Sequence, residues 1–393
     1  MTRRALLVGS NFSAVPLLLA LKRRGFHVSV CGNRPDEPCH FHADASCDVD
    51  YSDREKLLDL VSTGGFDAVI PSGNDVAYMS ATYVAQVLGL PGYDPLETAT
   101  VLHNKRAFRA FTDRHDIPAP RSIMLREDGA AELGALRYPL LVKPADNFSG
   151  RGVIKVKSDG DIADAIAEAR NSSRSADVIV EEFIEGSLHS HSAFIKDQKI
   201  VFDVFVDEYC TVYPYQVDSS HHPSLLSRDA CRKMQEAMTR VVKLLGLNDG
   251  LLHTQFLSRG DDIWVVECMR RSPGDLYGSL VDQSLGIDYA DLVVSLALGE
   301  NFVVKPRFDP PRLVGRHTIS TDRPSVPLSF SHTIPAEAVR IAQLKVTGKP
   351  LSVAPMDKLA ILFADFSTQE QMRDIAPRFK DFISLHSFSG DAA

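Results

Sequence analysis

The chain lacks an apolar run long enough to cross a bilayer, a basic block of more than a few residues, a paired CxxC spacing and any internal repeat. Each absence removes a class of function. With 43 Lys plus Arg against 51 Asp plus Glu the formal charge is −8, so a general binder of phosphate backbones is excluded and nucleic acid is not an expected partner. No membrane association is expected either. Met1-Thr2-Arg3-Arg4 followed by Ala5 to Leu21 imitates a signal peptide, yet Gly9, Ser10, Asn11, Ser13 and Pro16 interrupt the apolar run. Lys22-Arg23-Arg24 closes it without a small-residue cleavage site, so a strand, turn and helix in a cytoplasmic protein is the expectation. The six cysteines fit reduced thiols. Cys39-His40-Phe41-His42 with Cys47 holds metal-ligand residue types but no second half, and reads as a loop with incidental soft ligands. The turn Gly9-Ser10-Asn11-Phe12-Ser13-Ala14 has one glycine where a dinucleotide fingerprint has three, which argues against NAD. No Ser/His/Asp or Cys/His arrangement stands out.

What is present is ample core material, 44% hydrophobic, in 393 residues. That length exceeds what one core usually supports, so two or three domains are expected. The pattern predicts an α/β chain in three parts: a Rossmann-like domain over 1–115, a second domain over 116–310 and a lobe over 311–393. In the first part, Ala5 to Gly9, His27 to Cys31 and Phe66 to Pro71 read as strands. They alternate with helices through Gly25 (capped by Ser10 or Ser13), Tyr51 to Thr63 and Asp75 to Leu88. Such alternation implies a doubly wound parallel sheet, whose ligands sit at the carboxyl ends of the strands. Asn11 and Asn74 therefore point towards one crevice. Thr100 to His115 reads as one helix ended by Ile117-Pro118-Ala119-Pro120.

The second part carries the chemistry. Tyr138 to Pro144 is a buried strand that delivers Lys143 into a loop with Ser149, Gly150 and Gly152. One ammonium plus small residues that let backbone N–H groups approach suits a polyphosphate. Val153 to Val156 is a strand, with Lys155 alternating outward, and Asp159 to Arg170 a helix. Val178 to Gly186 is a second strand ending in Glu181, Glu182 and the apolar Phe183-Ile184, suited to an adenine edge. Further on, Leu252 to Leu257 and Ile263 to Arg271 flank the turn Arg259-Gly260-Asp261-Asp262. A hairpin there places Gln255 beside Glu267, two oxygen donors suited to Mg²⁺.

This order resembles the ATP-grasp superfamily from about residue 5 to residue 300. The resemblance implies an N-terminal doubly wound parallel sheet, a two-lobed ATP-grasp domain and a small C-terminal α+β lobe. It implies ATP and Mg²⁺ as cofactors, with Mn²⁺ able to substitute. It makes Lys105 and Lys143 the ATP lysines, Glu181 the acceptor for the adenine amino group, and backbone at Phe183 and Ile184 the rest of the adenine edge. The glutamate that usually holds the ribose is replaced by Leu188, so Glu185 or His189 is expected to serve. Gln255 and Glu267 become the metal ligands. The family's Glu-x-Asn-x-Arg strand reads here Glu267-Cys268-Met269-Arg270-Arg271, and Met269 supplies a soft thioether where Mg²⁺ prefers oxygen. Arg271 would meet the γ-phosphate or an acyl phosphate. Asn11, Asn74, His221, His222 and Gly274 would line the acceptor pocket. The implied activity joins a small-molecule carboxylate to an amine through an acyl phosphate, by an enzyme for which a homodimer is a candidate assembly. A biotin-carboxylase type of bicarbonate activation and a retired nucleotide-binding protein are the alternatives. The lobe over 311–393, with Leu359 to Phe366 as a strand and Ser367 to Phe379 as a helix, shows no chemistry of its own.

Overall fold

The computed structural model describes residues 2–125, 133–146, 150–173 and 175–388. The N-terminal part runs β1 (Arg4–Val8), α1 (Val15–Arg23), β2 (His27–Cys31), α2 (Pro38–His42), β3 (Ala45–Cys47), α3 (Arg54–Gly64), β4 (Ala68–Pro71), α4 (Asp75–Leu88), α5 (Leu96–His103) and α6 (Lys105–Arg114). Its strands form a parallel sheet in the order β3-β2-β1-β4. Leu7, Val28, Val30 and Ile70 bury one face under α1, and Leu6, Val8 and Val69 bury the other under α3 and α4. Both faces are covered, so the strands are almost wholly apolar. The loops after β1 and β4 then emerge together at the carboxyl edge, as expected.

Two expectations change here. The cap before α1 is Asn11, whose Oδ1 accepts from Ser13 N at 3.0 Å. Ser10 is occupied by Glu37 and Ser13 by Asp275 N, so neither hydroxyl is left for the helix. The helix expected over 100–115 is two helices. Asn104 adopts extended backbone (φ −106°, ψ 115°) and accepts from Ala107 N, ending α5 and capping α6. An Asn side chain competes for backbone N–H groups, and here that competition wins over continuous helical spacing.

The middle part holds β5 (Ser122–Leu125), β6 (Leu140–Pro144), β7 (Ile154–Val156), α7 (Ile162–Ser172) and β8 (Val178–Glu182). The antiparallel order is β5-β8-β6-β7. Leu140, Val142, Val178 and Val180 bury one face beneath Ala165 and Ala169 of α7. Alternation along the strands leaves Lys143 and Glu181 for the other face.

The largest layer is an eight-stranded sheet ordered β13-β12-β9-β10-β11-β14-β17-β16. Its strands are β9 (Ser187–Lys196), β10 (Lys199–Tyr209), β11 (Ser219–His222), β12 (Gly250–Arg259), β13 (Asp262–Met269), β14 (Leu313–Ile319), β16 (Ala338–Gln343) and β17 (Ala360–Phe366). β15 (Pro327–His332) and β18 (Ile383–Ser387) form a separate pair. Helix α8 (Arg228–Leu245) covers one face, with Met234, Met238 and Val242 against Ala193, Leu252 and Phe256. Helices α9 (Tyr277–Leu285) and α10 (Tyr289–Ala297) cover part of the other, with Tyr277, Leu280 and Tyr289 against Phe194, Val204 and Leu251. Each fully buried side chain of this kind is worth about 1.5–3 kcal/mol, so both helices are fixed by their apolar stripes. The expected domain limit at 310/311 falls just before β14, which pairs antiparallel with β11 and continues the sheet. The helix expected over 367–379 is α11 (Gln369–Ile375) followed by a 3₁₀ segment, Ala376–Phe382, entered through Pro377.

Candidate functional site

Lys143 and Glu181, from neighbouring strands β6 and β8, meet as a buried ion pair with Nζ 2.5 Å from Oε2. Glu181 Oε1 accepts from Arg109 Nε at 2.7 Å. Arg109 sits on α6, and its other nitrogens donate to the carbonyls of Val265 (3.3 Å) and Val266 (2.8 Å) on β13. Burial alone would raise Glu181, but Arg109 and Lys143 together bring it down to about 2. Burial lowers Lys143, as do Arg109 and Lys105, against the opposing pull of Glu181. Two cations therefore converge on one carboxylate, and a third, Lys105, stands near enough to Lys143 to lower it. The surplus of positive charge in a dry setting is what a polyphosphate complements. Sequence reading missed Arg109, although its placement four residues after Lys105 on one helix was a usable signal.

This geometry corrects the role expected of Glu181. Both of its carboxylate oxygens are taken by cations, so the side chain is not offered to an adenine amino group. Phe183 N is likewise committed to Pro139 O at 2.9 Å. Ile184 N has no hydrogen-bond partner among the described residues, and it remains a donor for the expected edge. Glu185 is exposed. Lys155 lies 3.4 Å from the Phe183 ring centroid, a cation–π contact that its outward alternation alone did not specify. In the loop after β6, Ser149 lies outside the described residues. Gly150 and Gly152 both have positive φ, +68° and +71°. A Cβ at Gly150 would come within 2.8 Å of Tyr215 O, so only glycine lets this loop lie against the segment before β11.

The hairpin expected around Gly260 is present, with Arg259 opposite Asp262 and Gln255 opposite Glu267. A bulge lies between these two pairs. Phe256 faces Val265, which leaves Val266 as the extra residue. Arg109 holds the carbonyls of both Val265 and Val266, so the cation paired with Glu181 also fixes the bulge beside Glu267. Glu267 makes no side-chain hydrogen bond or ion pair among the described residues. Gln255 donates through Nε2 to Glu208 Oε2 at 2.7 Å, leaving its amide oxygen as a hard donor. Burial pushes Glu208 above the usual carboxylate range, opposed by Ser190, Arg316 and Gln255. Met269, across from His253, is 6% exposed. Among the described residues no three His, Cys, Asp or Glu gather as a closed metal site. The donors that are present, one amide oxygen and one unpaired carboxylate, fit Mg²⁺ that takes its remaining ligands from phosphate and water.

Arg271 is held side-on by Asp75 at the start of α4, with Nε 2.9 Å from Oδ1 and Nη2 2.8 Å from Oδ2. His103 Nδ1 also meets Asp75 Oδ1 at 2.9 Å, and its Nε2 accepts from Arg270 N. Burial opposes the charge on Asp75, but Arg271 and His103 hold its carboxyl well below the usual range. The fork expected for phosphate thus also ties the β12–β13 hairpin to the N-terminal domain. Gly73 packs against the carbonyls of Ser272 and Pro273, and Asp275 N donates to Ser13 Oγ at 3.1 Å. Asn11, Asn74 and Gly274 are therefore brought to one crevice, although Asn11 and Asn74 also cap their helices through Oδ1. The C-terminal lobe contributes after all. Arg316 Nη1 donates to Asp275 O at 2.6 Å, and Lys358 forms an ion pair with the Asp275 carboxylate. These cations belong to no local motif, and only the β11–β14 pairing and a returning loop bring them in.

The two histidines expected beside the acceptor stand on β11 as interior groups. His221 is buried against Tyr209 and Asp207, and His222 against Ser284 of α9 at 2.6 Å. Desolvation lowers both, His222 to about 4. They are enclosed because Ser219 to His222 completes the sheet between β10 and β14. Nor is a Ser/His/Asp array absent from the fold. Ser187 Oγ, His189 and Asp207 are joined at 2.6 and 2.7 Å on the α8 face, at the side of the sheet away from Gln255. Asp207 is also held by Leu225 N and Ser224, and Ser187 by Ser258 O, so this network fastens the strand edge. His189 is committed to it and is unavailable for the ribose.

Residues 111–297 match the family model for the D-ala D-ala ligase C-terminus, an ATP-grasp domain. The chain is 26% identical over 407 residues to a formate-dependent phosphoribosylglycinamide formyltransferase of Burkholderia cenocepacia, covering 95% of this chain and 93% of that one. It is 24% identical to the multifunctional protein pyrABCN of Emericella nidulans, of which it spans only 16% while 96% of this chain is covered. In fold it superposes on an L-amino acid ligase from Bacillus licheniformis with a TM-score of 0.78, 18% identity and coverage of 98% and 99%. With the paired lysine and carboxylate strands, the glycine loop and the bulged hairpin all in the expected order, residues 111–297 form an ATP-grasp domain, and the chain around them is similar in sequence and fold to ATP-dependent ligases.

Proposed function

We propose that the protein activates a small-molecule carboxylate as an acyl phosphate and joins it to an amine, releasing ADP and phosphate. The observation that carries this reading is the coupling of two ends of one site through Arg109. It binds Glu181 beside Lys143 and also the bulge that aims Glu267. Lys143 and Lys105 would neutralise phosphate oxygens, and Gln255 with Glu267 would hold Mg²⁺, for which Mn²⁺ can substitute. The metal would supply charge neutralisation at the transferring phosphoryl group. Arg271, already oriented by Asp75, lies at the junction between that group and the crevice. There Asn11, Asn74, Gly274, Arg316 and Lys358 would receive the acceptor. An acyl phosphate is hydrolysed by water, so a crevice closed by three separate segments suits an intermediate that must be protected. The same reading takes the protein to be cytoplasmic and homodimeric. No helix among the described residues is long and apolar enough to cross a membrane.

The test is ADP release by the full chain over a matrix of carboxylates and amines with MgATP, with products identified by mass. Expected is ADP formation that requires one acid and one amine and yields their amide. Dependence on bicarbonate with no amine requirement would turn the reading to carboxylation. Nucleotide binding without ADP release across the matrix would make this a retired member, the reading that Met269 favours.

A further inference from the structure

Glutamine is an ambiguous residue at a metal position. Its terminal group presents either an oxygen, which a cation attracts, or an amino group, which a cation repels, and the two differ by a simple rotation. A carboxylate at the same position has no such ambiguity. Gln255 therefore needs something to hold its amide one way round. The candidates lie on the sheet face it shares with β9 and β10. Ser190, directly across on β9, is a hydroxyl that can donate or accept and so imposes no orientation. Glu208 on β10 is different. It is 4% exposed, its Oε2 lies 2.7 Å from Gln255 Nε2, and an ionised carboxylate can only accept. Its own position is fixed by the register that sets it between Leu188 and Ser220, with Arg316 nearby on β14.

Resting on the metal reading above, we propose that Glu208 is a positioning residue that locks the Gln255 amide with its oxygen towards Glu267 and the divalent ion. Gln255 and Glu208 thereby act together as the equivalent of one metal-site carboxylate. The negative charge missing from position 255 is present one hydrogen bond away on the same face. This accounts for a glutamine being usable where Met269 offers no further oxygen. Removing an outer partner of a metal ligand typically costs about 10–100-fold in metal affinity.

The experiment is Mn²⁺ binding to the full chain in the presence of ADP, followed by electron paramagnetic resonance of the free ion. Glu208→Gln restores the ambiguity and should weaken Mn²⁺ by about 10–100-fold. The exchange Glu208→Gln with Gln255→Glu keeps the hydrogen bond and the total charge but moves the carboxylate to position 255, where no orientation is needed. It should recover affinity to within a few-fold of the parent. A role in packing alone would leave the double variant as weak as the single one, and that result overturns the proposal. So does unchanged affinity in Glu208→Gln. If Glu208→Gln does not fold, Gln255→Glu is compared with the double variant. Equal Mn²⁺ affinity is expected, and a tenfold difference overturns the proposal. Glu267→Gln serves as the control. Loss of Mn²⁺ binding there with none in Glu208→Gln sinks only the positioning role, whereas no loss in Glu267→Gln means that the metal lies elsewhere and the functional reading fails with it.

Discussion

The two ends of the proposed nucleotide site are built on opposite electrostatic plans. Around Glu181 the charges are buried and already paired, whereas Glu267 at the other end of Arg109 makes no side-chain hydrogen bond or ion pair among the described residues and interacts with Arg271 only through its charge. The first arrangement resists change because taking away one member strands the others in low dielectric. The second is open to change, since a carboxylate without a partner gains most from a cation that arrives with the substrate. On the proposed reading, rigidity is thus concentrated where the nucleotide would be gripped, and unmet charge where the phosphoryl group would be transferred.

The sharpest way to break this contrast is Glu181→Gln. It leaves Lys143 and Arg109 without their counter-charge and should cost about 3–5 kcal/mol of stability, the loss typical of breaking a buried pair. Urea unfolding measures it. The pH dependence has a definite sign. Because the folded carboxyl lies near 2 and the ordinary value is 4.5, its contribution is present in full above pH 4.5 and is lost as pH falls from 4.5 towards 2. The variant should lack that part of the acid destabilisation. An equal acid slope in both proteins would show that Glu181 is not held ionised by its neighbours.

At the open end the prediction reverses. Glu267→Gln should leave the unfolding midpoint unchanged and reduce ADP formation by about 10²–10³-fold, the size expected when one element of transition-state charge stabilisation is removed. Turnover equal to the parent at saturating Mg²⁺ would place the metal elsewhere. Lys143→Ala lies between the two cases. It should weaken ATP binding by roughly tenfold or more, since a charge-assisted contact is worth about 1.5–3 kcal/mol, and it should also destabilise by exposing Glu181 to Arg109 alone. Calorimetric titration of the folded variant gives the first quantity. Unchanged affinity would make Lys143 a structural counter-ion only.

Legibility in the sequence follows the same division. Strands β6, β8, β12 and β13 were readable because each couples an apolar run to a chemical residue at its end, and the Gln255–Glu267 register follows from the turn between them. Arg109, Glu208, Arg316 and Lys358 were not readable, because each is a single charge inside an otherwise ordinary helix, strand or loop. Long-range pairing alone gives them a role. Glu208 touches Gln255 across 47 positions, and Lys358 reaches Asp275 across 83. His221 and His222 misled for the converse reason. A polar pair looks like a loop until the sheet on either side encloses it. Glu181 was found but given the wrong role, since nothing local reveals that both its oxygens are taken.

The smallest effect tests how open the metal end is. Met269 occupies the place of an asparagine in the family pattern and is buried across from His253, two residues beyond Glu267 on the same strand face. Met269→Asn exchanges packing for an oxygen. The lost thioether contacts should cost about 2 kcal/mol of stability, at the low end for shortening a buried methionine. The new carbonyl should lower the Mg²⁺ concentration for half-maximal ADP release by a few-fold, about 1 kcal/mol or less. Both quantities come from one preparation, by urea unfolding and by a magnesium titration of turnover. A fall in stability with the predicted gain in Mg²⁺ affinity means that the ion sits within reach of this strand position and is under-coordinated by protein in the parent. If activity drops while the magnesium midpoint stays fixed, Met269 is a packing residue of β13. The open end would then consist of Gln255 and Glu267 alone, and the contrast with the pre-paired Glu181 cluster would become sharper.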